Sequence, residues 1–175
     1  MSILLFAESE NNKLKRNAPE ISSYGAALAS NLNKDCVAVS FNADNAQELG
    51  QFGISKVFNV TNVPRQFDAN VYASVLTHYI KSLGATHIIL GSSADAKFLA
   101  PLVAANTNAA YVPNVVALPH EQQPLTVRRT VFSNKAFANT TLTAEVNIIG
   151  VRNNSFGTVE QVVDCAVENA TCTLA

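Results

Sequence analysis

A short turn of small and polar residues, Gly91-Ser92-Ser93-Ala94-Asp95, carries the side chains best placed for chemistry in this sequence. It follows an apolar run at residues 88–90 that is typical of a buried strand, and it precedes a helical pattern. In open α/β sheets, ligands lie at the carboxyl ends of strands, where small residues with free N–H groups suit an anion. The same residues suit an ordinary turn in which Ser93 or Asp95 caps the helix, as nearly every strand–helix unit requires. Both interpretations stay open at this point.

A second candidate is the pair Arg128-Arg129, which is followed by the polar stretch Ser133-Asn134-Lys135. The arginines fall within a strand-like pattern, and the polar stretch is typical of a turn. Two positive charges beside a turn fit a surface that contacts a partner protein. They equally fit an edge strand that charge protects against aggregation.

Other reactive residue types form no recognisable constellation. The residues after the first apolar run, Ala7-Glu8-Ser9-Glu10, contain no glycine, so the dinucleotide fingerprint is absent, and there is no Walker loop. No histidine has a partner at metal-ligand spacing or accompanies a Cys or Ser nucleophile in a known motif. The histidines are His78, His87 and His120, and the cysteines are Cys36, Cys165 and Cys172. We expect structural roles for all six, and we assign no catalytic, cofactor-binding or metal-binding residue.

Composition limits the class of protein. The chain has 175 residues, 48% apolar and 14% charged, with a net charge of −1. This length suits one domain, and the balanced charge offers no surface for nucleic acid or an anionic membrane. No apolar run approaches the length of a membrane span. The chain opens on a strand-like run without a targeting leader, so we expect a cytoplasmic protein that keeps its cysteines reduced.

Strand-like and helical patterns alternate over the first two thirds of the chain. Strands are expected near residues 3–6, 36–41, 57–60 and 87–91, and helices after Asn17, at 43–49, after Asp68 and at 95–105. Pro101 is expected only near the first turn of the last helix. The apolar face of the helix between Asp68 and Gly84 is the clearest of these patterns. Such alternation predicts an α/β fold with three layers and a doubly wound, mostly parallel sheet.

The pattern changes after Pro113. Strand-like segments at 115–118, 125–132, 137–142 and 145–151 are separated by gaps too short for a helix, which favours antiparallel strands toward the C-terminal end. Beyond Arg152, the acidic residues Glu160, Asp164 and Glu168 recur every four positions, and a short amphipathic helix is one possible interpretation. We divide the chain into an α/β domain at 1–156 and a linker or acidic tail at 157–175.

Several segments, in order along the chain, resemble the N-terminal domain of the electron transfer flavoprotein alpha subunit. They are Ile3-Leu4-Leu5-Phe6-Ala7-Glu8 with Lys13-Leu14-Lys15, His87-Ile88-Ile89-Leu90-Gly91, Phe98-Leu99-Ala100-Pro101 with Val103-Ala104-Ala105, Asn114-Val115-Val116-Ala117-Leu118, Arg129-Thr130-Val131-Phe132 with Ala136, and Ile149-Gly150-Val151-Arg152 through Phe156. The resemblance covers residues 2–156.

This resemblance implies a part of an electron carrier rather than an enzyme. In that family the alpha subunit pairs with a beta subunit and holds FAD mostly through a C-terminal domain. The flavin carries electrons from acyl-CoA dehydrogenases, in fatty acid oxidation, toward a membrane oxidoreductase. The implied role here is a structural and subunit-contact domain that binds no flavin by itself, contacts no nucleic acid and does not insert into a membrane.

Two other functions stay open from the residues alone. One is an independent adenine-nucleotide-binding α/β module resembling the universal stress proteins, although the spacing of Gly84 and Gly91 does not match their phosphate loop. The other is a small enzyme using Ser92, Ser93 or Asp95, for which no base is evident.

Overall fold

The fold is a doubly wound α/β sheet with helices on both faces. The computed structural model describes residues 2–173. The strands are β1 Ser2–Ala7, β2 Ser9–Glu10, β3 Lys13–Leu14, β4 Cys36–Phe41, β5 Lys56–Val60, β6 Ala85–Leu90, β7 Ala110–Val115, β8 Glu121–Gln122, β9 Leu125–Val131, β10 Ala136–Leu142, β11 Asn147–Val151 and β12 Ala166–Ala170. The helices are α1 Ala18–Leu32, α2 Ala69–Leu83 and α3 Ala94–Thr107, with a short 3₁₀ helix at Ala46–Gln51. The predicted three-layer α/β class is confirmed.

The main sheet has the order β10-β9-β7-β11-β6-β1-β4-β5-β12, with β8 beside β9. The strands from β7 to β12 in this order are parallel, whereas β8, β9 and β10 run antiparallel to their neighbours. Side chains alternate across β1, so that Ile3 and Leu5 pack with α1 on one face while Leu4 and Phe6 pack with α2 and α3 on the other. Each face therefore has its own apolar core.

The start of α1 and both ends of α2 lie where the capping residues in the sequence predict them. The Asp68 carboxylate caps α2 by accepting hydrogen bonds from the backbone N–H groups of Asn70 and Val71, and Gly84 ends the helix with a left-handed φ of 58°. Asn17 precedes α1, as predicted. Pro101 is the exception, because it lies well inside α3, and the helix continues to Thr107. The expectation that Pro101 lies near the first turn is wrong.

The strand order of the last third also departs from expectation. The segment predicted at 115–118 is instead β7, Ala110–Val115. β11 is not antiparallel to its chain neighbour β10, but lies parallel between β6 and β7. All five residues of β11 are buried, and a continuous apolar strand requires a central position covered on both faces.

The acidic segment forms a strand rather than a helix. β12 lies parallel to β5 at the edge of the sheet, and Gln161 bridges to Phe52. Val163, Cys165 and Val167 are half-buried and alternate with exposed residues, which is the two-residue period of a strand. A short helix without a packed apolar face is marginal, whereas the open edge of β5 offers backbone partners. The boundary after residue 156 stays a prediction.

Candidate functional site

The carboxyl ends of β1 and β6 form the crevice at which ligands bind in doubly wound sheets. After β1 the chain moves outward to β4 and β5, and then returns to place β6 on the other side of β1. Strand order reverses at this point. A cavity of about 260 Å³ lies here, and its wall includes Glu8, Lys15, Phe41, Tyr72 and Asp95.

A buried carboxylate organises the polar side of this cavity. Glu8, only 4% exposed, accepts a hydrogen bond of 2.7 Å from the Ser93 hydroxyl and one of 3.0 Å from Lys15 Nζ. Lys15 Nζ also lies 3.5 Å from an oxygen of Asp95. Burial by itself would lower the pKa of Lys15, but Glu8 and Asp95 outweigh it and raise that pKa above its usual value. The ammonium group is therefore held charged between two carboxylates.

The turn at residues 91–95 caps the N-terminus of α3, which is the second of the two interpretations left open by the sequence. Ser93 Oγ accepts a hydrogen bond from the N–H of Ala96 at the start of α3, and Asp95 lies in the first turn. Gly91 is explained by packing, because a Cβ there would come within 2.9 Å of Ile21 on α1. Ser92 Oγ accepts from the N–H of Asn153 and so holds a neighbouring loop. The turn thus serves to join β6, α1 and α3.

The residues of this crevice do not fit the pyrophosphate of FAD. A dinucleotide requires free N–H or cationic donors at a helix N-terminus. Here the Ser93 hydroxyl and the Lys15 ammonium are both directed to Glu8, and Asp95 adds a second carboxylate. The protein's own carboxylates therefore lie where a phosphate would need donors.

An aromatic series forms the apolar side of the cavity. Phe6 lies 4.9 Å from Phe41, Phe41 lies 4.7 Å from Tyr72, and Tyr72 lies 5.3 Å from Phe67, measured between ring centroids. The Tyr72 hydroxyl donates to the carbonyl of Pro64 and ties the loop before α2 to that helix. These centroid distances are typical of aromatic side chains that pack against one another, so the apolar wall of the cavity is well packed.

The second candidate surface is the hairpin of β9 and β10, which we call the 125–142 hairpin. The guanidinium of Arg128 lies 4.3 Å from the ring centroid of Phe137, and Lys135 lies 5.7 Å from that of Phe132. Arg129 Nε donates to Thr140 Oγ1 at 3.0 Å. The exposed fractions of Phe132 and Phe137 are 78% and 58%. The arginines lie on β9, with β10 outside it, so they do not serve as edge-strand protection.

The tip of the 125–142 hairpin has an uncommon backbone. Three successive residues without glycine, Phe132, Ser133 and Asn134, have φ values of 52°, 51° and 64°. This left-handed region disfavours bulky side chains, and such strain persists mainly at functional positions. A depression of about 530 Å³, lined by Lys97 and Arg129 among others, lies between this tip and α3.

Sequence reasoning missed a carboxylate that fastens the segment leading to β12. Glu20, in the first turn of α1, accepts hydrogen bonds of 2.8 to 3.0 Å from the backbone N–H groups of residues 154–157. Burial favours the neutral acid, but these four donors outweigh it and lower the pKa of Glu20 from its usual value. Ser23 adds reciprocal hydrogen bonds with the backbone of Val159. Only the early position of Glu20 in a helix was visible in the sequence.

The buried histidine and cysteine have surroundings that suit structural roles. Burial, assisted by Lys34, lowers the pKa of His87 to about 4, and its Nδ1 lies 2.9 Å from Thr86 Oγ1. Burial raises the pKa of the Cys36 thiol to about 12. Among residues 2–173, no cluster of three His, Cys, Asp or Glu side chains is arranged to hold a metal. Within the same range, no helix is long and apolar enough to cross a membrane.

Comparison with known proteins gives one family. The family model described as "Electron transfer flavoprotein domain" matches residues 3–171, nearly the whole chain and including β12. A search of curated proteins finds no match. Proteins with this domain are flavoproteins, and they act as electron carriers rather than as enzymes. The chain, with its doubly wound sheet and mixed strand directions, belongs to the electron transfer flavoprotein family.

Proposed function

We propose that this chain is the N-terminal structural and subunit-contact domain of an electron transfer flavoprotein alpha subunit. The full-length heterodimer with the beta subunit carries electrons from acyl-CoA and related dehydrogenases of fatty acid oxidation, in the cytoplasm, toward a membrane oxidoreductase. In this proposal the FAD is held by the heterodimer, mainly through a C-terminal domain of the alpha subunit. The resemblance of residues 2–156 to the alpha subunit supports this assignment within the family.

The observation that carries the contact role is the 125–142 hairpin. It presents two exposed phenylalanines, each accompanied by a cation: Phe132 at the strained tip and Phe137 on β10. Aromatic and arginine side chains contribute much of the binding free energy of protein interfaces. Exposed phenylalanines on a tip that faces only water would contribute no such stabilisation. The crevice at β1 and β6 offers a weaker case for an anionic ligand, because its Ser93 hydroxyl and Lys15 ammonium both donate to Glu8 Oε2, while Glu8 Oε1 accepts no hydrogen bond from the residues described.

The same crevice argues against the alternative function, an adenine-nucleotide-binding module. A nucleotide phosphate placed there would face Glu8 and Asp95, and Lys15 is already paired with both carboxylates. Arg65, the other cation that lines the cavity, forms no ion pair with either of them.

Charge reversal on the hairpin tests the contact role. The chain carrying Arg129→Glu and Lys135→Glu should bind the beta subunit at least tenfold more weakly than the parent, which is about 1.4 kcal/mol. The matched control carries Lys13→Glu and Lys81→Glu, two exposed cations away from the hairpin. Affinity is measured by titration calorimetry, and urea midpoints verify that each variant folds. An unchanged affinity in the hairpin variant would exclude this surface as the contact.

A further inference from the structure

A second cavity adjoins the crevice at β1 and β6. Its volume is about 310 Å³, and it shares part of its wall with the cavity of about 260 Å³ described above. The residues common to both cavities, which we call the shared wall, are Ser9, Glu10, Asn11, Phe41, Arg65 and Tyr72. The shared wall therefore contains one carboxylate, one guanidinium and two aromatic rings. Each cavity lies near the lower end of the range of about 300–1,000 Å³ that is typical of drug-sized ligands, so an occupant must be a small molecule.

The two charges of the shared wall have no ionic partner within the part of the chain that the structure describes. Among residues 2–173, neither Glu10 nor Arg65 forms an ion pair, with one another or with a further group. Lys13 lies opposite Glu10 in the register of β2 and β3, and these two side chains do not form an ion pair either. Two opposite charges that line the same cavities and stay apart leave room for a ligand that carries both.

The ionic network around Glu8 does not supply these contacts. Glu8 Oε2 already accepts from the Ser93 hydroxyl and from Lys15 Nζ, and Glu8 Oε1 is buried beside Gly91. The Lys15 ammonium is in turn shared between Glu8 and Asp95. A ligand in these cavities therefore finds its ionic partners on the shared wall.

Hydrogen bonds hold both charged residues of the shared wall in place. Glu10 lies on β2, which is fixed to the carboxyl end of β4 because the Ser9 hydroxyl donates to the carbonyl of Phe41. Arg65 lies in the loop that the Tyr72 hydroxyl ties to α2. A wall that is fixed before binding lowers the entropy cost of ordering it around a ligand.

We infer that the shared wall binds a small zwitterion with an apolar side chain, of the class of free α-amino acids. The carboxylate of the ligand pairs with the guanidinium of Arg65, whose planar donors match a carboxylate, and its ammonium pairs with Glu10. Its side chain packs against the rings of Phe41 and Tyr72, so an aromatic side chain gains most from the site.

The charges of the shared wall favour a zwitterion over a simple ion. An anion alone would gain Arg65 but meet the carboxylate of Glu10, whereas a cation alone would gain Glu10 but meet Arg65. The inference goes beyond the subunit-contact role and does not rest on it, because β7 and β11 separate the crevice from the 125–142 hairpin in the sheet.

Binding of L-phenylalanine to the ¹⁵N-labelled chain tests the inference, together with two analogues that each lack one charge. Phenethylamine lacks the carboxylate, and 3-phenylpropanoate lacks the ammonium. L-Phenylalanine should cause saturable shifts at the amides of Glu10, Asn11, Arg65 and Tyr72, and each analogue should bind at least tenfold more weakly. Absence of saturable shifts at these amides, or an analogue whose affinity lies within a factor of two of that of L-phenylalanine, would overturn the inference.

Two variants that each remove one charge assign the contacts. Arg65→Gln should weaken binding of L-phenylalanine at least tenfold without weakening that of phenethylamine, and Glu10→Gln should do the same without weakening that of 3-phenylpropanoate. Both side chains are exposed, so each variant should keep the urea midpoint of the parent. The matched controls are Lys81→Gln and Glu160→Gln, two exposed charges outside the crevice. Full affinity for L-phenylalanine in either crevice variant, or an equal loss in the controls, would overturn the site.

Discussion

At the scale of single residues, the crevice is held by Lys15, whose ion pairs with Glu8 and Asp95 should be costly to remove. Glu8 is buried, and Lys15 Nζ pairs with its carboxylate at 3.0 Å. Lys15→Met leaves a buried carboxylate supported by the Ser93 hydroxyl alone, and because Lys15 is partly exposed we expect a loss of about 2 kcal/mol. Urea unfolding at pH 7 provides the measurement, with Lys13→Met, an exposed neighbour, as the control.

A second change identifies the cause of that loss. Adding Glu8→Gln to Lys15→Met removes the stranded charge and should restore part of the free energy of unfolding. A Lys15→Met midpoint equal to that of Lys13→Met would show that the network does not stabilise the fold.

Glu20 should make stability depend on pH. Its folded pKa is lowered, so its contribution is fully present above the unfolded value of 4.5 and is lost as pH falls through the folded pKa. Glu20→Gln should cost about 2 kcal/mol at pH 7, because the amide cannot satisfy four N–H donors, and the difference from the parent should shrink toward pH 3. Chemical denaturation across this range measures it, with Glu160→Gln, an exposed acid, as the control. A difference that is constant with pH would contradict the role of the charge.

At the scale of elements, α2 supplies the test of the packed face. Leu76 is fully buried between α2 and the sheet, and Leu76→Ala should lower the free energy of unfolding by about 2–5 kcal/mol. Leu102→Ala is the matched substitution on the partly exposed face of α3, and it should cost far less. Similar denaturant midpoints for the two variants would mean that the buried face of α2 is assigned wrongly.

The elements that sequence predicted best are those specified locally. The Asp68 cap and the Gly84 terminus of α2 lie within the helix ends themselves, so short-range signals suffice. Pro101 does not end α3, because burial of Leu99, Ala100 and Val103 outweighs the one backbone hydrogen bond that proline removes from the helix.

The elements that sequence predicted poorly depend on distant partners. The insertion of β11 between β6 and β7, and the pairing of β12 with β5, join segments far apart in the chain. The two-residue alternation of Val163, Cys165 and Val167 was the sequence signal for β12. The four-residue spacing of the acidic residues in the same segment favoured a helix instead. The same limit applies to the site, because Ser93 was foreseen as a cap whereas its bond to Glu8, 85 residues away, was not.

At the scale of the whole molecule, the chain should bind no flavin by itself. The crevice presents the carboxylates of Glu8 and Asp95 where a pyrophosphate needs hydrogen-bond donors. Purified protein should be colourless, and titration with FAD, followed by flavin fluorescence, should show no saturable quenching. A yellow preparation with stoichiometric FAD would place a cofactor site within this chain.

The contact role is the central claim, and sedimentation equilibrium of this chain mixed with the electron transfer flavoprotein beta subunit tests it most directly. The account predicts a 1:1 species whose population rises with concentration and saturates at equal amounts, while the chain alone stays a monomer. A chain that sediments at its own mass at every concentration of the beta subunit would contradict the account.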